Sequence, residues 1–271
     1  MTAELTEKKR IIFREPWLYA LPAFRVFGNL YFVGNKNGAS WILKTEEGPI
    51  LFDTNWPSTA HLLVDSMWSM GIDPKDLIAI FHTHGHYDHF GATEYLRQIS
   101  GAKTYLGKGD CDMFRERPEL ALCDHCHAHM QYVDIFKPDV EVKDGDIFTF
   151  GSTTIRAASC PGHTDGSTSY FFPVTDGENT YTAGLHGGAG VNTLQPSFRE
   201  KYGVDYRRTY LDSIDKMWNE KVDIFLGNHT NQNNLEEKYS RLGNGANPFI
   251  DSTEWHSFLE RIRSRCLALM D

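Results

Sequence analysis

The first half of the chain alternates short apolar runs with turn signals. Leu30-Tyr31-Phe32-Val33 is followed by Trp41-Ile42-Leu43-Lys44, then by Glu46-Glu47-Gly48 and Ile50-Leu51-Phe52. Runs of this length and composition, punctuated by glycine and charge, predict short strands joined by hairpins. The pattern then changes. Pro57 and Ser58 open a stretch with Leu62, Leu63 and Met67 on one face, and Gly71 closes it, which predicts a helix. Leu77-Ile78-Ala79-Ile80-Phe81 is continuously apolar, as expected of a strand covered on both faces.

The second half repeats the pattern. Ile147-Phe148-Thr149-Phe150, Thr153-Thr154-Ile155-Arg156-Ala157, Ser169-Tyr170-Phe171-Phe172 and Thr180-Tyr181-Thr182 read as strands, with Asp176-Gly177-Glu178 as a turn. Leu211, Ile214 and Trp218 mark a helix near 206–218, and Asp223-Ile224-Phe225-Leu226 marks a further buried strand. From Thr253 the stripe Trp255, Phe258, Leu259, Ile262 and Cys266 predicts a closing helix packed on the core. Two β-rich halves, each followed by helices, predict two sheets packed face to face with helices outside. No linker or short repeat divides the 271 residues, so 1–271 reads as a single domain.

Composition narrows the function. Hydrophobic residues at 41% and charged residues at 23% are globular values, and no apolar run approaches the ~20 residues of a membrane span. Acidic residues outnumber basic ones by 36 to 27, which argues against a nucleic-acid partner held by Lys and Arg. Met1 to Arg14 lacks the apolar core of a secretory signal, so a cytoplasmic location is expected. The five cysteines, an odd number, fit reduced thiols.

The chemistry lies in the histidines, of which there are twelve. His84-Gly85-His86-Tyr87-Asp88-His89 follows an apolar strand directly and offers four metal-competent side chains. A helix would send His84 and His86 to different faces, whereas a loop leaving a strand can turn both inward. His163, in Cys160-Pro161-Gly162-His163-Thr164, and His229, in Leu226-Gly227-Asn228-His229, also follow apolar strands. Six candidates of this kind suffice for two metals with three protein ligands each, leaving room for water as catalytic sites do.

The H-x-H-x-D-H arrangement resembles the metallo-β-lactamase superfamily, and the resemblance runs from about Leu21 to the tail. It implies an α+β fold, a four-layer αβ/βα sandwich with the site at one edge of the two sheets. By position it implies that His84, His86 and His163 hold a first zinc, and Asp88, His89 and His229 a second. Gly162-His163-Thr164-Asp165-Gly166-Ser167-Thr168-Ser169 and Phe24-Arg25-Val26-Phe27-Gly28-Asn29-Leu30-Tyr31 are similar to the lactamase subclass with Asp-His-His at its second metal. Many thioesterase and lactonase members carry a metal-bridging Asp where this chain has Thr182-Ala183-Gly184-Leu185-His186-Gly187-Gly188, without a carboxylate. The lactamase subclass usually has a serine near that point, and Gly184 or Leu185 stands there instead.

The implied chemistry is hydrolysis by a dinuclear zinc site. Zinc lowers the pKa of bound water from ~15.7 to about 7, so hydroxide can attack a carbonyl at neutral pH. The expected substrate is a small, anionic cyclic amide (β-lactam-like) or related carboxyl derivative; hydrolysis of another ester, lactone or thioester is the alternative. Asp88 would orient the hydroxide as the catalytic carboxylate. Asp53 is either a partner fixing a ligand histidine or a strand-end turn residue. His186 is either an extra ligand or proton donor, or a solvent-facing turn residue. Iron is the lesser metal candidate. A di-iron oxidoreductase is disfavoured because such relatives have Glu where this chain has His86. Finally, Cys123-Asp124-His125-Cys126-His127-Ala128-His129 lies in a segment, 110–137, that reads as a flap or insertion near the site mouth. The cluster could be a pocket wall, a solvated helix or an extra metal site.

Overall fold

The computed structural model describes residues 11–127 and 132–270. Its strands are β1 (Phe24–Phe27), β2 (Leu30–Phe32), β3 (Trp41–Lys44), β4 (Pro49–Phe52), β5 (Ala79–Phe81), β6 (Lys103–Gly107), β7 (Val140–Val142), β8 (Ile147–Phe150), β9 (Thr153–Ser159), β10 (Thr168–Thr175), β11 (Thr180–Leu185) and β12 (Ile224–Leu226). The helices used below are α1 (Ala60–Ser69), α2 (Tyr87–Phe90), α3 (Thr93–Ser100), α4 (Lys108–Glu116), α5 (Asp124–His127), α6 (Pro196–Tyr202), α7 (Arg207–Met217), α8 (Leu235–Arg241) and α9 (Glu254–Leu267).

Strands β1 to β7 form one sheet in chain order, and the second sheet runs β12-β11-β10-β9-β8. Strand side chains point alternately to opposite faces, so each sheet presents two apolar surfaces that need covering. The inner faces meet: Phe32, Trp41, Phe52 and Phe81 pack on Tyr170, Phe172, Ala183 and Leu226. Phe52 and Phe172 stack with ring centroids 4.9 Å apart. The Trp41 indole N–H donates to Gly227 O at 2.8 Å across the sheets, so its polar atom is satisfied in the core. Outside, Tyr31, Ile42, Leu51 and Ile80 pack under Leu63, Val64 and Met67 of α1 and Leu96 of α3. On the far side, Phe171 and Phe225 lie under Ile214 and Met217 of α7 and Trp255, Phe258 and Ile262 of α9. The four-layer sandwich is therefore observed.

Two local differences from the sequence reading have simple causes. The 57–71 helix begins with a 3₁₀ turn, Pro57–Thr59, which rotates the α-helical face so that Val64 rather than Leu62 joins Leu63 and Met67 inside. The apolar run at 77–81 is strand only from Ala79, because Pro74–Asp76 forms a 3₁₀ turn that Leu77 terminates. Strands β6 and β7 were not read from the sequence: Lys103 and Glu141 interrupt their apolar pattern, and their pairing is parallel and non-local.

The topology gathers loops at one edge. β4, β5 and β6 are parallel, so all three end at the same side, and β11 and β12 are parallel in the other sheet. In such sheets, ligand sites form where the carboxyl ends of strands open into loops. Among the described residues, no helix is long and apolar enough to cross a membrane.

Candidate metal centre

His82 to His86 form the loop that leaves β5, and the short α2 turn then presents Asp88 and His89. The loop leaving β9 brings His163, and the loop leaving β12 brings His229. The result is two groups of potential ligand atoms, each mutually within 4.8 Å: His84, His86 and His163, and Asp88, His89 and His229. All six candidates read from the sequence are thus brought together in threes.

Hydrogen bonds fix which ring nitrogen faces inward. Nδ1–H of His84 donates to Gly187 O at 2.9 Å, and Nδ1–H of His163 donates to Gly190 O at 2.8 Å. Nδ1–H of His89 donates to Asp53 Oδ2 at 2.8 Å, and His229 Nδ1 lies 3.2 Å from Asn37 O. Each of these four rings therefore turns Nε2, with its lone pair, toward the group, the orientation that metal-binding histidines adopt. His86 Nδ1 and His163 Nε2 are 3.0 Å apart, and His89 and His229 approach Nε2 to Nε2 at 3.3 Å. Two nitrogens on one tetrahedral zinc, each ~2.0–2.1 Å from it, sit at about this separation. His84 Nε2 is buried with no hydrogen-bond partner. Leaving such an atom unpaired costs about 1–3 kcal/mol, and a cation at this point would satisfy it. The donor set fits zinc.

Electrostatics agree. Burial, reinforced by neighbouring imidazoles, holds His84 and His86 well below the ordinary histidine range, and burial lowers His163 to about 4. All three rings are neutral at pH 7, the form that binds metal. Burial opposes ionisation of Asp88, but His89, His229 and His86 outweigh it and hold the carboxyl near 2. Asp88 Oδ2 lies 3.7 Å from His229 Nε2 and 3.9 Å from His89 Nε2.

Asp53 is no simple turn residue. It follows β4 with φ +56°, and its carboxylate accepts from Thr83 N at 2.8 Å and Thr83 Oγ1 at 2.7 Å as well as from His89. A left-handed non-glycine residue is uncommon, and Asp is among the residues that tolerate it. His186 joins neither group. β11 points Leu185 between the sheets, so the next side chain turns outward, and the His186 ring packs on Phe258 and Trp255 of α9. Nor does it face solvent: it is 3% exposed, and its Nδ1 accepts from Gly188 N. The glycines around it serve the ligands instead. A Cβ at Gly188 would stand 2.7 Å from the His163 ring.

The groups form the floor of a cavity of about 480 Å³. Ile12, Trp56, Tyr87 and Leu122 make an apolar wall, and Asn192, Gln195 and Ser197 a polar one. Leu122 and His125, from the 110–137 segment, line the mouth, and the His125 ring meets Tyr87 edge-on at 5.7 Å. Leu122 has φ +61°, a conformation that is strained for a branched residue and typical of ligand-facing turns. The segment is mixed rather than one helix: most of α4, a 3₁₀ turn at Pro118–Ala121, α5 and, over the described residues 132–137, no regular element. Cys126 is buried and Cys123 half-buried, and no third metal-competent group occurs among the described residues. Ala128 and His129 of the cluster lie outside them.

Asp110 was not singled out from the sequence. Its buried carboxylate accepts from Gly85 N, Thr164 Oγ1 and Gly166 N, and burial pushes its pKa up to about 7. No motif marks it, because its partners lie 25 to 56 residues away.

Comparison with known proteins gives the same picture. The sequence profile described as the metallo-beta-lactamase superfamily matches residues 33–176. The native FEZ-1 metallo-beta-lactamase from Legionella gormanii superposes with a TM-score of 0.81 at 27% identity, covering 92% of this chain and 95% of that one. BJP-1, a subclass B3 metallo-beta-lactamase of Bradyrhizobium japonicum, superposes at 0.79 with 25% identity, covering 94% and 98%. Among curated proteins, the probable polyketide biosynthesis zinc-dependent hydrolase BaeB of Bacillus velezensis is 27% identical over 52% of this chain and 53% of its own length. A hydroxyacylglutathione hydrolase of Francisella tularensis is 27% identical over 62% and 64%. The chain thus spans between half and two thirds of the length of these two curated relatives. With the strand-end ligand groups, the four-layer sandwich and a matching profile over more than half its residues, the chain belongs to the metallo-β-lactamase superfamily.

Proposed function

We propose that the protein is a dinuclear zinc hydrolase acting on the carbonyl of a cyclic amide or related carboxyl derivative. The observation that carries this reading is the pair of adjoining three-residue groups on the floor of one open cavity. His84, His86 and His163 would hold one ion and Asp88, His89 and His229 the other. Bound zinc supplies Lewis acidity and an activated water at neutral pH. The chain's own residues do the rest. Asp53 fixes the His89 ring, the Asp88 carboxylate would orient that water and accept its proton, and Trp56, Tyr87 and Leu122 would exclude bulk solvent from one side of the substrate. Residues 1–271 would act as one unit, with 110–137 forming the mouth.

The segment 182–188 supports the cyclic-amide reading, since it offers no carboxylate between the groups and places Leu185 in the core. A thioester or ester substrate is the alternative, supported by the likeness to a hydroxyacylglutathione hydrolase. The test is metal analysis of protein purified without added metal, followed by a chromogenic cephalosporin assayed beside a lactone and a thioester. Two zinc equivalents and preferential cephalosporin turnover would support the first reading. Preferential thioester turnover would establish the alternative, iron as the native metal would overturn the zinc assignment, and absence of metal would overturn both substrate readings.

For the expected anionic substrate we propose a reception site beside the metal cavity. No Lys or Arg is among the described residues lining the metal cavity, but an adjoining cleft shares Asn37, Ala189, Gly190 and His229 with it and carries Arg261 and Arg265 of α9. A substrate carboxylate would lie toward these guanidinium groups. Replacing both arginines by alanine is expected to raise KM for an anionic substrate about tenfold at low salt, with kcat unchanged. Equal KM values for variant and wild type across salt concentrations would remove the arginines from substrate recognition.

A further inference from the structure

Building on the metal assignment above, we propose that Asp110 is a positioning residue for the first metal group, setting the spacing between the loop that carries His84 and His86 and the loop that carries His163. Asp110 is fully buried on the first turn of α4. One oxygen, Oδ2, accepts from Gly85 N at 2.6 Å, and Gly85 is the residue between His84 and His86. The same oxygen accepts from Thr164 Oγ1 at 2.8 Å, and Thr164 directly follows His163. The other oxygen accepts from Gly166 N at 2.8 Å. One carboxylate thereby ties together two loops separated by 77 residues, whose histidines meet at His86 Nδ1 and His163 Nε2, 3.0 Å apart.

The tie is rigid because backbone packs directly on backbone. A Cβ at Gly166 would stand 2.1 Å from Asp110 N, and a Cβ at Gly109 would stand 2.2 Å from Asp165 O. The start of α4 therefore cannot slide along the His163 loop. Thr164 is held in turn by Ser167, whose Oγ lies 2.9 Å from Thr164 Oγ1. All three donors to Asp110 are uncharged groups of the ligand loops. Only a carboxylate can accept from all of them, since an amide would turn an N–H toward one. Asp53 fixes the second group through His89, and through Thr83, whose hydroxyl lies 3.1 Å from His84 Nδ1, it also touches the first.

The test is zinc and cobalt titration of Asp110→Asn against a competing chelator. Partners that orient ligands typically contribute about 10–100-fold in metal affinity. Asp110→Asn is expected to lose this for one ion only, leaving the affinity of the other unchanged, and to perturb the cobalt absorption bands of the first site. Asp53→Asn, by contrast, should weaken both ions, since its carboxylate holds His89 and also Thr83 beside His84. Thr164→Val should follow Asp110→Asn with a smaller loss, and Thr164→Ser should restore wild-type affinity. This second series applies if Asp110→Asn fails to fold. Unchanged affinities in a folded Asp110→Asn protein with a lowered melting temperature would reduce Asp110 to a structural role and overturn the proposal. A wild-type protein that binds no zinc would instead overturn the metal assignment itself, so the two failures are distinct.

Discussion

Replacing His86 by alanine is expected to remove zinc from the first group and to lower hydrolysis by about 10³-fold or more, since zinc shifts the pKa of bound water by several units. The size of the effect follows from the arrangement. His86 Nδ1 faces His163 Nε2 at 3.0 Å, and the unpaired Nε2 of His84 completes the group. With one of three protein ligands gone, two remain, and neighbouring His82 is committed elsewhere. His82 Nε2 pairs with Thr93 Oγ1 at 2.7 Å and Nδ1 with Tyr105 O at 3.0 Å. Metal content by elemental analysis and kcat/KM on the preferred substrate check this together. Asp88→Ala should likewise abolish turnover and lower bound metal, with the loss falling on the second ion. Full activity in either metal-depleted variant would contradict the assignment.

Asp53→Ala is expected to destabilise the fold by about 3 kcal/mol or more, since it leaves three buried donors without an acceptor at about 1–3 kcal/mol each. Three groups lose their acceptor at once: Thr83 N, Thr83 Oγ1 and His89 Nδ1. His89 is also the one ligand histidine whose pKa is raised; burial opposes its charge, but Asp53 and Asp88 overcome that. Without Asp53 the ring loses both its proton acceptor and its orientation. Asp53→Asn keeps the shape but removes the charge, so it should fold better than Asp53→Ala while still binding the second ion weakly. Chemical denaturation and metal titration of the two variants separate these contributions. Equal stability of wild type and Asp53→Ala would show that the observed pairing contributes nothing.

Much of this was legible in the sequence for a physical reason. A histidine placed directly after a short apolar run sits at a strand end, and His84, His163 and His229 all do so. The H-x-H-x-D-H spacing then matches a loop and one helical turn. Local patterning likewise revealed the strands that are apolar throughout, such as Ile50–Phe52 and Ile224–Leu226. Other features depended on distant partners. Asp110 becomes meaningful only when Gly85, Thr164 and Gly166 arrive around it, and His186 cannot be told from a ligand until α9 supplies Phe258 and Trp255. The cysteines at 123 and 126 have zinc-like spacing, yet Cys126 packs in the apolar layer beside α4. Short spacing identifies local geometry, whereas burial and partner choice are set by the whole chain.

The bond from Trp41 to Gly227 and the isolated bridge between Gly38 and His229 join the first sheet to the His229 loop. Asn37 O holds the His229 ring from the same hairpin. The His229 loop is therefore positioned by contacts that leave the ring's Nε2 free to face the ligand group. The second ligand group thus depends for its shape on a hairpin that supplies none of its three members.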